Sequence, residues 1–166
     1  MTILTDDMQR VVREQALGFI ATVCPDGTPN LSPKGTTTVW DADHLVFAHL
    51  NSPRTVDNLR RNPAIEINVV DVFNRKGYRF KGIAEVLTEG ALYEQIMAMY
   101  RGEHCADPLR DADRRVRALI LMRVERALPL ISPAYDDGST EAQIEAHWAG
   151  YWQSLHTQHT TGSAHA

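Results

Sequence analysis

The chain has 166 residues, a length typical of a single domain with its own core. With 43% hydrophobic and 23% charged residues it has an ordinary globular composition, and no stretch approaches the ~18 consecutive apolar residues that a membrane span requires. The net charge of −4 disfavours general nucleic-acid binding, and Cys24 and Cys105 lie outside any CxxC spacing that would suggest a zinc site. We therefore expect a cytoplasmic protein without an export signal that binds no nucleic acid, no membrane and no metal.

Positive charge is concentrated in the middle of the chain. Residues 52–82 contain seven basic and three acidic side chains, whereas no Lys or Arg follows Arg126. A local basic zone in an acidic protein favours a small anionic ligand over a long polyanion.

Three β-rich runs joined by tight turns follow a short N-terminal helix. The helix is predicted over residues 5–15, with Thr5 or Asp6 as its N-cap. The strands are predicted at residues 18–24, 30–40 and 45–50. The sequences PDGT and DADH between them favour an antiparallel meander.

The hydrophobic period changes after the third strand. Ser52 suits an N-cap and Pro53 suits the first helical position, which predicts a helix over residues 52–61. The later elements are predicted as strands at 64–73 and 78–87, a helix over 89–101, a sixth strand within 116–130 and a final helix over 139–155.

Six short strands with a helix inserted after the third predict a mainly β protein with flanking helices, of α+β type. The expected architecture is a closed or nearly closed antiparallel barrel. We expect one domain over residues 1–155 with the last helix at its end, and a disordered tail over 156–166.

The strongest candidate site is the sequence Ser52-Pro53-Arg54-Thr55 at the start of the second predicted helix. A helix N-terminus presents unpaired N–H groups and a partial positive charge, and it binds phosphate readily. Arg54 adds a guanidinium suited to bidentate phosphate contacts, and two hydroxyls flank it. The alternative is that Ser52 merely caps the helix and Arg54 is solvated.

Two further basic patterns could belong to the same site. Ser32, Lys34 and Thr36 would share one face of a strand, although a solvated outer face fits that pattern equally well. Arg79 and Lys81 alternate with aromatic residues, which usually means a core face and a solvent face. We assign no catalytic residue.

The runs GFIATVCPDGTPNLSPKG, LVFAHLNSPRTVDNLRRNP and YRFKGIAEVL resemble the pyridoxamine 5'-phosphate oxidase-like FMN-binding split barrels, over roughly residues 5–130. The most specific part is Arg54-Thr55, eight residues before Pro63 when counted from Thr55. In the family the pair at this position holds the flavin phosphate.

The resemblance implies a six-stranded split barrel and a homodimer with the cofactor at its interface. It implies that the strand Ser32, Pro33, Lys34 and Gly35 lines the flavin ring and ribityl chain, and that His49 lies beside the cofactor. Arg79 or Lys81 would lie near the ring edge or the phosphate. The implied cofactor-binding residues are Ser32, Pro33, Lys34, Gly35, His49, Ser52, Arg54, Thr55, Arg79 and Lys81.

One departure limits the resemblance. The oxidase itself grips its substrate phosphate with arginine and histidine in its C-terminal segment, whereas this chain has no Lys or Arg after Arg126. We infer that the chain is not that oxidase. As a hypothesis, residues 132–148 cover the pocket with Tyr135 or Trp148 over a ring; ordinary packing of these side chains is the alternative.

The leading hypothesis is an FMN-dependent oxidoreductase that transfers hydride or electrons to or from a small redox substrate. A flavin-binding sensor or store without turnover is the first alternative. A haem-binding barrel with His49 as ligand is the second, and a deazaflavin could replace the flavin.

Overall fold

A computed structural model describes residues 2–103 and 111–162, which form one seven-stranded antiparallel sheet with flanking helices. The strands are β1 (Gly18–Val23), β2 (Pro29–Lys34), β3 (Thr38–Val39), β4 (His44–His49), β5 (Ala64–Asp71), β6 (Lys76–Leu87) and β7 (Ala118–Ile131). The helices are α1 (Asp6–Gln15), α2 (Pro53–Arg61), α3 (Ala91–Ala98), α4 (Ala112–Arg115) and α5 (Glu141–Gly162), with a π-helical turn at Met99–Glu103 and a 3-10 turn at Pro133–Tyr135. Cys105 and residues 163–166 of the predicted tail lie outside the described residues.

The sheet curls so that its two edges approach each other. Its strand order is β2-β1-β5-β6-β7-β4-β3, which places β2 and β3 at opposite edges although they are consecutive in the chain. β2 ends at Lys34, and β3 begins at Thr38, four residues later. A chain of four residues spans at most about 14 Å, so the two edges of the sheet lie no further apart than this at these residues. The sheet is therefore a half-barrel, and the predicted fold class, mainly β with flanking helices, is confirmed.

The predicted strand over residues 30–40 is in fact two strands, so the sheet has seven strands and not six. The chain turns at Gly35 and Thr36. The Thr36 hydroxyl accepts from the Ala48 N–H at 3.0 Å and donates to the Ala48 carbonyl at 3.2 Å. The Tyr100 hydroxyl donates to the Thr36 carbonyl at 2.6 Å. These partners are distant in sequence, which is why local β propensity did not reveal the break.

The predicted three-stranded meander is wrong. β1 and β2 form the expected hairpin, but β4 pairs with β3 and β7 and has no pairing with β2. Five consecutive residues of β4, from Leu45 to His49, are buried, so this strand is covered on both faces. A strand of this kind belongs inside a sheet, between other strands.

Two apolar clusters flank the sheet. The first fills the inside of the half-barrel, and its largest fully buried members are Leu4, Ile20, Leu45, Phe47, Ile67, Phe80, Ile120 and Met122. The second packs α3 and the π-helical turn, through Ile96, Met97 and Tyr100, on the other face of β4 and β7. α2 contributes Val56 and Leu59 to the first cluster, and this contact fixes the helix against the barrel.

The edges of the molecule have two distinctive features. β2 is an edge strand that contains two prolines, Pro29 and Pro33. α5 continues to Gly162 instead of ending at residue 155, so residues 156–162 of the predicted tail are helical.

Among the described residues, no helix combines the length and the apolar character needed to cross a membrane.

Candidate functional site

The first turn of α2 contains the sequence-predicted site residues Ser52, Arg54 and Thr55. Ser52 precedes the helix, but its side chain makes no capping hydrogen bond, and no acidic residue lies in the first turn. Arg54 is exposed and has no hydrogen bond or ion pair with any residue that the structure describes. Pro53 has no N–H, and the Thr55 N–H donates to the Ser52 carbonyl at 3.2 Å. The helix end therefore combines the backbone N–H of Arg54 with its exposed guanidinium.

His49 is hydrogen-bonded to Ser52, the residue that precedes α2. Its Nδ1 accepts the Ser52 backbone N–H at 3.2 Å and lies 3.1 Å from the Ser52 hydroxyl. Because Nδ1 accepts a backbone donor, the neutral ring carries its remaining proton on Nε2.

The surroundings of His49 are positive. Burial lowers the pKa of His49, and the nearby cations Arg117, Lys34 and Arg60 lower it further, against a smaller opposing effect of Asp57. The imidazole is therefore held neutral in a region where positive charge exceeds negative charge. Sequence reasoning missed Arg117, which lies immediately before β7 and reaches this region because its backbone N–H bonds the His49 carbonyl at 2.9 Å.

Lys34 and Ser32 share the inner face of β2, as the alternation of the strand predicted. The Lys34 ammonium donates to the Ser32 hydroxyl and lies 3.5 Å from the Pro33 carbonyl. Lys34 is only 8% exposed, has no carboxylate partner within the described chain, and burial lowers its pKa. Thr36 does not lie on this face, because it is in the turn after β2. Pro33 and Gly35, the other two residues predicted to line the flavin, are both exposed.

Thr55 lies beside Arg54 in sequence but faces the protein interior. Its side chain is 1% exposed, and the Asn30 amide donates to its hydroxyl at 3.5 Å. The same Asn30 amide donates to Thr22 at 3.2 Å, and the Asn58 amide donates to Thr22 at 3.0 Å. Sequence reasoning missed these asparagines, although Asn30 alternates with Ser32 and Lys34 along β2.

Arg79 and Lys81 lie on the opposite face of the sheet from Lys34. Each forms an ion pair with Glu66 at 3.0 Å. The strand registers align Pro33, Phe19, Asn68, Arg79 and Leu128 in one outward-facing row across the sheet. Three strand spacings separate β2 from β6, about 14 Å, so one protomer cannot present both groups to a single point.

The outer face of the sheet also exposes large apolar side chains. Leu31 is 65% exposed and Phe19 is 40% exposed, on neighbouring strands. Glu66 with its two cationic partners lies beside them in the adjoining strands. This apolar face with a charged border has the composition of an association surface.

Cations lie over Tyr135 and Trp148, the two C-terminal aromatic residues of the hypothetical pocket cover. The Arg75 guanidinium carbon lies 3.4 Å from the centroid of the Trp148 ring, and the Lys76 ammonium lies 4.4 Å from that of Tyr135. The Tyr135 hydroxyl donates to the Asn74 carbonyl at 2.6 Å. These contacts attach the C-terminal segment to the β5–β6 turn, which favours the packing interpretation.

Comparisons with known proteins agree with this architecture. The family model described as "Pyridoxamine 5'-phosphate oxidase" matches residues 4–128. An uncharacterized protein of Methanocaldococcus jannaschii is 30% identical over 89 residues, which are 52% of this chain and 58% of that relative, so the match spans little more than half of the relative's length.

Two solved structures extend the comparison. Group A Streptococcus HupZ is 32% identical with a TM-score of 0.66, over 78% of this chain and 96% of HupZ. A protein named F420 reductase is 26% identical with a TM-score of 0.55, over 75% of this chain and 98% of the reductase. The family model covers most of the chain, and we conclude that this chain belongs to the pyridoxamine 5'-phosphate oxidase-like family of split barrels.

Proposed function

We propose that the protein is an FMN-binding homodimeric oxidoreductase that transfers hydride or electrons to or from a small redox substrate. The observation that carries the proposal is the first turn of α2, where Arg54 is exposed and has no carboxylate partner among the residues that the structure describes. The FMN phosphate fits this end, because helix N–H groups and a guanidinium are its natural donors.

The other basic residues of the inner face fit the same cofactor. Lys34 is buried and has no carboxylate partner in residues 2–103 and 111–162, and Arg117 and Arg60 add positive charge around His49. A ligand with an anionic group, or with polar acceptor atoms on its ring, would compensate the positive charge of these three residues. When bound, FMN supplies the redox-active ring, while the protein supplies phosphate anchoring, orientation of the ring and a face for substrate.

The division of the site between two sheet faces supports a dimer. Arg79 and Lys81 cannot reach a ligand held at Lys34 of the same protomer, yet they lie beside the exposed apolar face. In a two-fold dimer formed through this face, each copy would offer these cations to the cofactor of the other.

The substrate differs from that of the oxidase for which the family is named. The chain has no Lys or Arg after Arg126, and in the structure Arg75 and Lys76 lie over C-terminal aromatic rings. The C-terminal segment therefore offers no lysine or arginine of its own for a substrate phosphate.

The geometry of His49 disfavours the haem alternative. A histidine that ligates a metal through Nε2 normally donates its Nδ1–H to an acceptor. Here Nδ1 accepts the Ser52 N–H, so Nε2 of the neutral ring carries a proton and presents no lone pair.

Deazaflavin is the second candidate ligand. The observation that favours it is the 26% identity to a protein named F420 reductase, which covers 98% of that chain. Parallel titrations with FMN and with F420, followed by fluorescence, separate the two: the physiological ligand binds with the lower Kd.

The test of the FMN proposal is a comparison of two arginines on the same helix. Arg54→Ala should weaken FMN binding by about 2 kcal/mol, or roughly 30-fold, because a charge-assisted phosphate contact is lost. Binding of riboflavin, which lacks the phosphate, should change little. Arg61→Ala removes an exposed arginine at the other end of α2 and is the matched control.

Equal FMN affinity in the two variants would show that the phosphate lies elsewhere. Consumption of reduced nicotinamides by the FMN-loaded protein then distinguishes an enzyme from a flavin store. A loaded protein that oxidises no reduced nicotinamide and reduces no quinone would favour storage or sensing.

A further inference from the structure

α2 is joined to the sheet by a group of four polar side chains, three of them buried, which we call the polar network. Its members are Thr22 on β1, Asn30 on β2, and Thr55 and Asn58 on α2. Thr22, Thr55 and Asn58 are almost fully buried, and the Thr22 hydroxyl accepts from both asparagine amides. The network therefore connects three elements at one point.

The network lies beside the apolar core, and the Asn58 amide also lies 3.6 Å from the Cys24 sulfur. Val56 and Leu59, which flank it on α2, are buried in the core of the half-barrel. Burying a polar group is unfavourable unless it is hydrogen-bonded, and apolar side chains would pack the helix equally well. What hydrogen bonds add is direction: apolar contacts tolerate small rotations of a helix, whereas an amide bonded to a hydroxyl fixes its position.

The network acts on the end of α2 that carries Arg54. Thr55 and Asn58 are three residues apart and therefore lie on one helix face, towards the sheet. Arg54 directly precedes Thr55, so the hydrogen bonds that fix Thr55 and Asn58 also fix the direction of the first-turn N–H groups. Misplacement of these groups by a fraction of an ångström weakens phosphate contacts.

We propose that Asn58 is a positioning residue, which holds the phosphate-binding end of α2 in register with β1 and β2 through Thr22. The inference rests on the proposed function, since it concerns the phosphate of FMN. It also assigns the Thr55 hydroxyl to the polar network, leaving the guanidinium and the backbone N–H of Arg54 to hold the phosphate.

The test measures the Kd of FMN and of riboflavin for each variant. Asn58→Leu removes the hydrogen bond to Thr22 and the contact with the Cys24 sulfur, whereas Thr22→Val removes the acceptor of both asparagine amides. Both substitutions change the side-chain volume little. We expect each to weaken FMN binding about tenfold while the Kd of riboflavin changes by less than about twofold. Thr22→Ser keeps the hydroxyl and should retain the wild-type ratio of the two constants.

A merely structural role predicts a different result. If Asn58→Leu and Thr22→Val lower the Tm but leave the ratio of FMN to riboflavin affinity unchanged, the positioning role is refuted and the FMN proposal stands. If the wild-type protein does not prefer FMN to riboflavin, both proposals fail. If Asn58→Leu does not fold, the pair Thr22→Val and Thr22→Ser decides the question.

Discussion

At the scale of single residues, His49 combines burial with an acceptor role. It is 6% exposed, and the Ser52 N–H is bonded to its Nδ1. Protonation of Nδ1 would turn this acceptor into a donor that faces the Ser52 N–H, and the hydrogen bond would be lost. It would also add a positive charge near Lys34 and Arg117. The neutral ring is therefore required for the local structure at the start of α2.

This requirement makes stability depend on pH. Burial, aided by the nearby cations, lowers the pKa of His49 below its ordinary value of 6.5. As the pH falls below that value, the unfolded chain binds the proton first, so the free energy of unfolding decreases until the folded pKa is reached. His49→Asn, whose side-chain oxygen can still accept the Ser52 N–H, should reduce this decrease.

The measurement is urea denaturation between pH 7.5 and 5.5. His147→Asn, at an exposed position on α5, is the control and should retain the wild-type dependence. A His49→Asn variant whose stability falls with pH as steeply as that of the wild type would contradict this account.

At this scale the sequence predicted some placements and not others. The shared face of Ser32 and Lys34 follows from strand alternation alone. The position of Thr36 does not follow from strand alternation, because it depends on hydrogen bonds with Ala48 and Tyr100 that form only in the folded chain.

At the scale of elements, the long β6–β7 pairing is interrupted by an irregularity between Lys81 and Gly82. There the backbone of β7 approaches Gly82 so closely that an added Cβ would lie 2.0 Å from the Arg123 carbonyl oxygen. No side chain can be accommodated without displacement of a strand.

Gly82→Ala should therefore destabilise the protein by about 2 kcal/mol or more. Gly150→Ala is the matched control, because an added Cβ at that position on α5 meets nothing within 4 Å. It should be neutral or stabilising by up to about 1 kcal/mol. Equal unfolding midpoints for the two variants in urea would mean that the close approach at Gly82 is relieved by a small shift.

Most element positions could be predicted from sequence, because turn residues and capping residues act locally. α2 begins at Pro53 and ends at Arg61, beside the predicted boundaries. The division of residues 30–40 could not be predicted, since β3 is a two-residue strand defined only by its pairing with β4.

At the scale of the whole molecule, the candidate site is spread over both faces of one curled sheet. Strand order determines this division, and strand order depends on pairings between residues far apart in the chain, such as Phe80 with Ala127. No local pattern in the sequence could have separated Arg79 from Lys34.

The proposed dimer can be tested on its apolar face. Leu31→Asp places a carboxylate on the exposed outer surface of β2, so the fold should be retained. In a two-fold interface the substitution occurs twice, and each buried carboxylate should reduce the free energy of dimerisation by about 2 kcal/mol. The variant should therefore shift towards the monomer and bind FMN more weakly.

Val72→Asp introduces the same charge at an exposed apolar residue in the β5–β6 turn and should leave the oligomeric state unchanged. Analytical ultracentrifugation provides the comparison. If Leu31→Asp remains as dimeric as the Val72→Asp control, the outer face of β2 lies outside the interface.

The prolines of β2 have a consequence for how copies of this protein can meet. An exposed strand edge normally invites another strand to add to it, and repeated addition leads to open-ended ribbons. Pro29 and Pro33 each lack an N–H, so the edge of β2 cannot provide a continuous ladder for an incoming strand. Concentrated solutions of the protein should therefore resist growth of fibrils from this edge, which leaves the outer face of β1 and β2, with its exposed Phe19 and Leu31, free to form a closed pair of subunits.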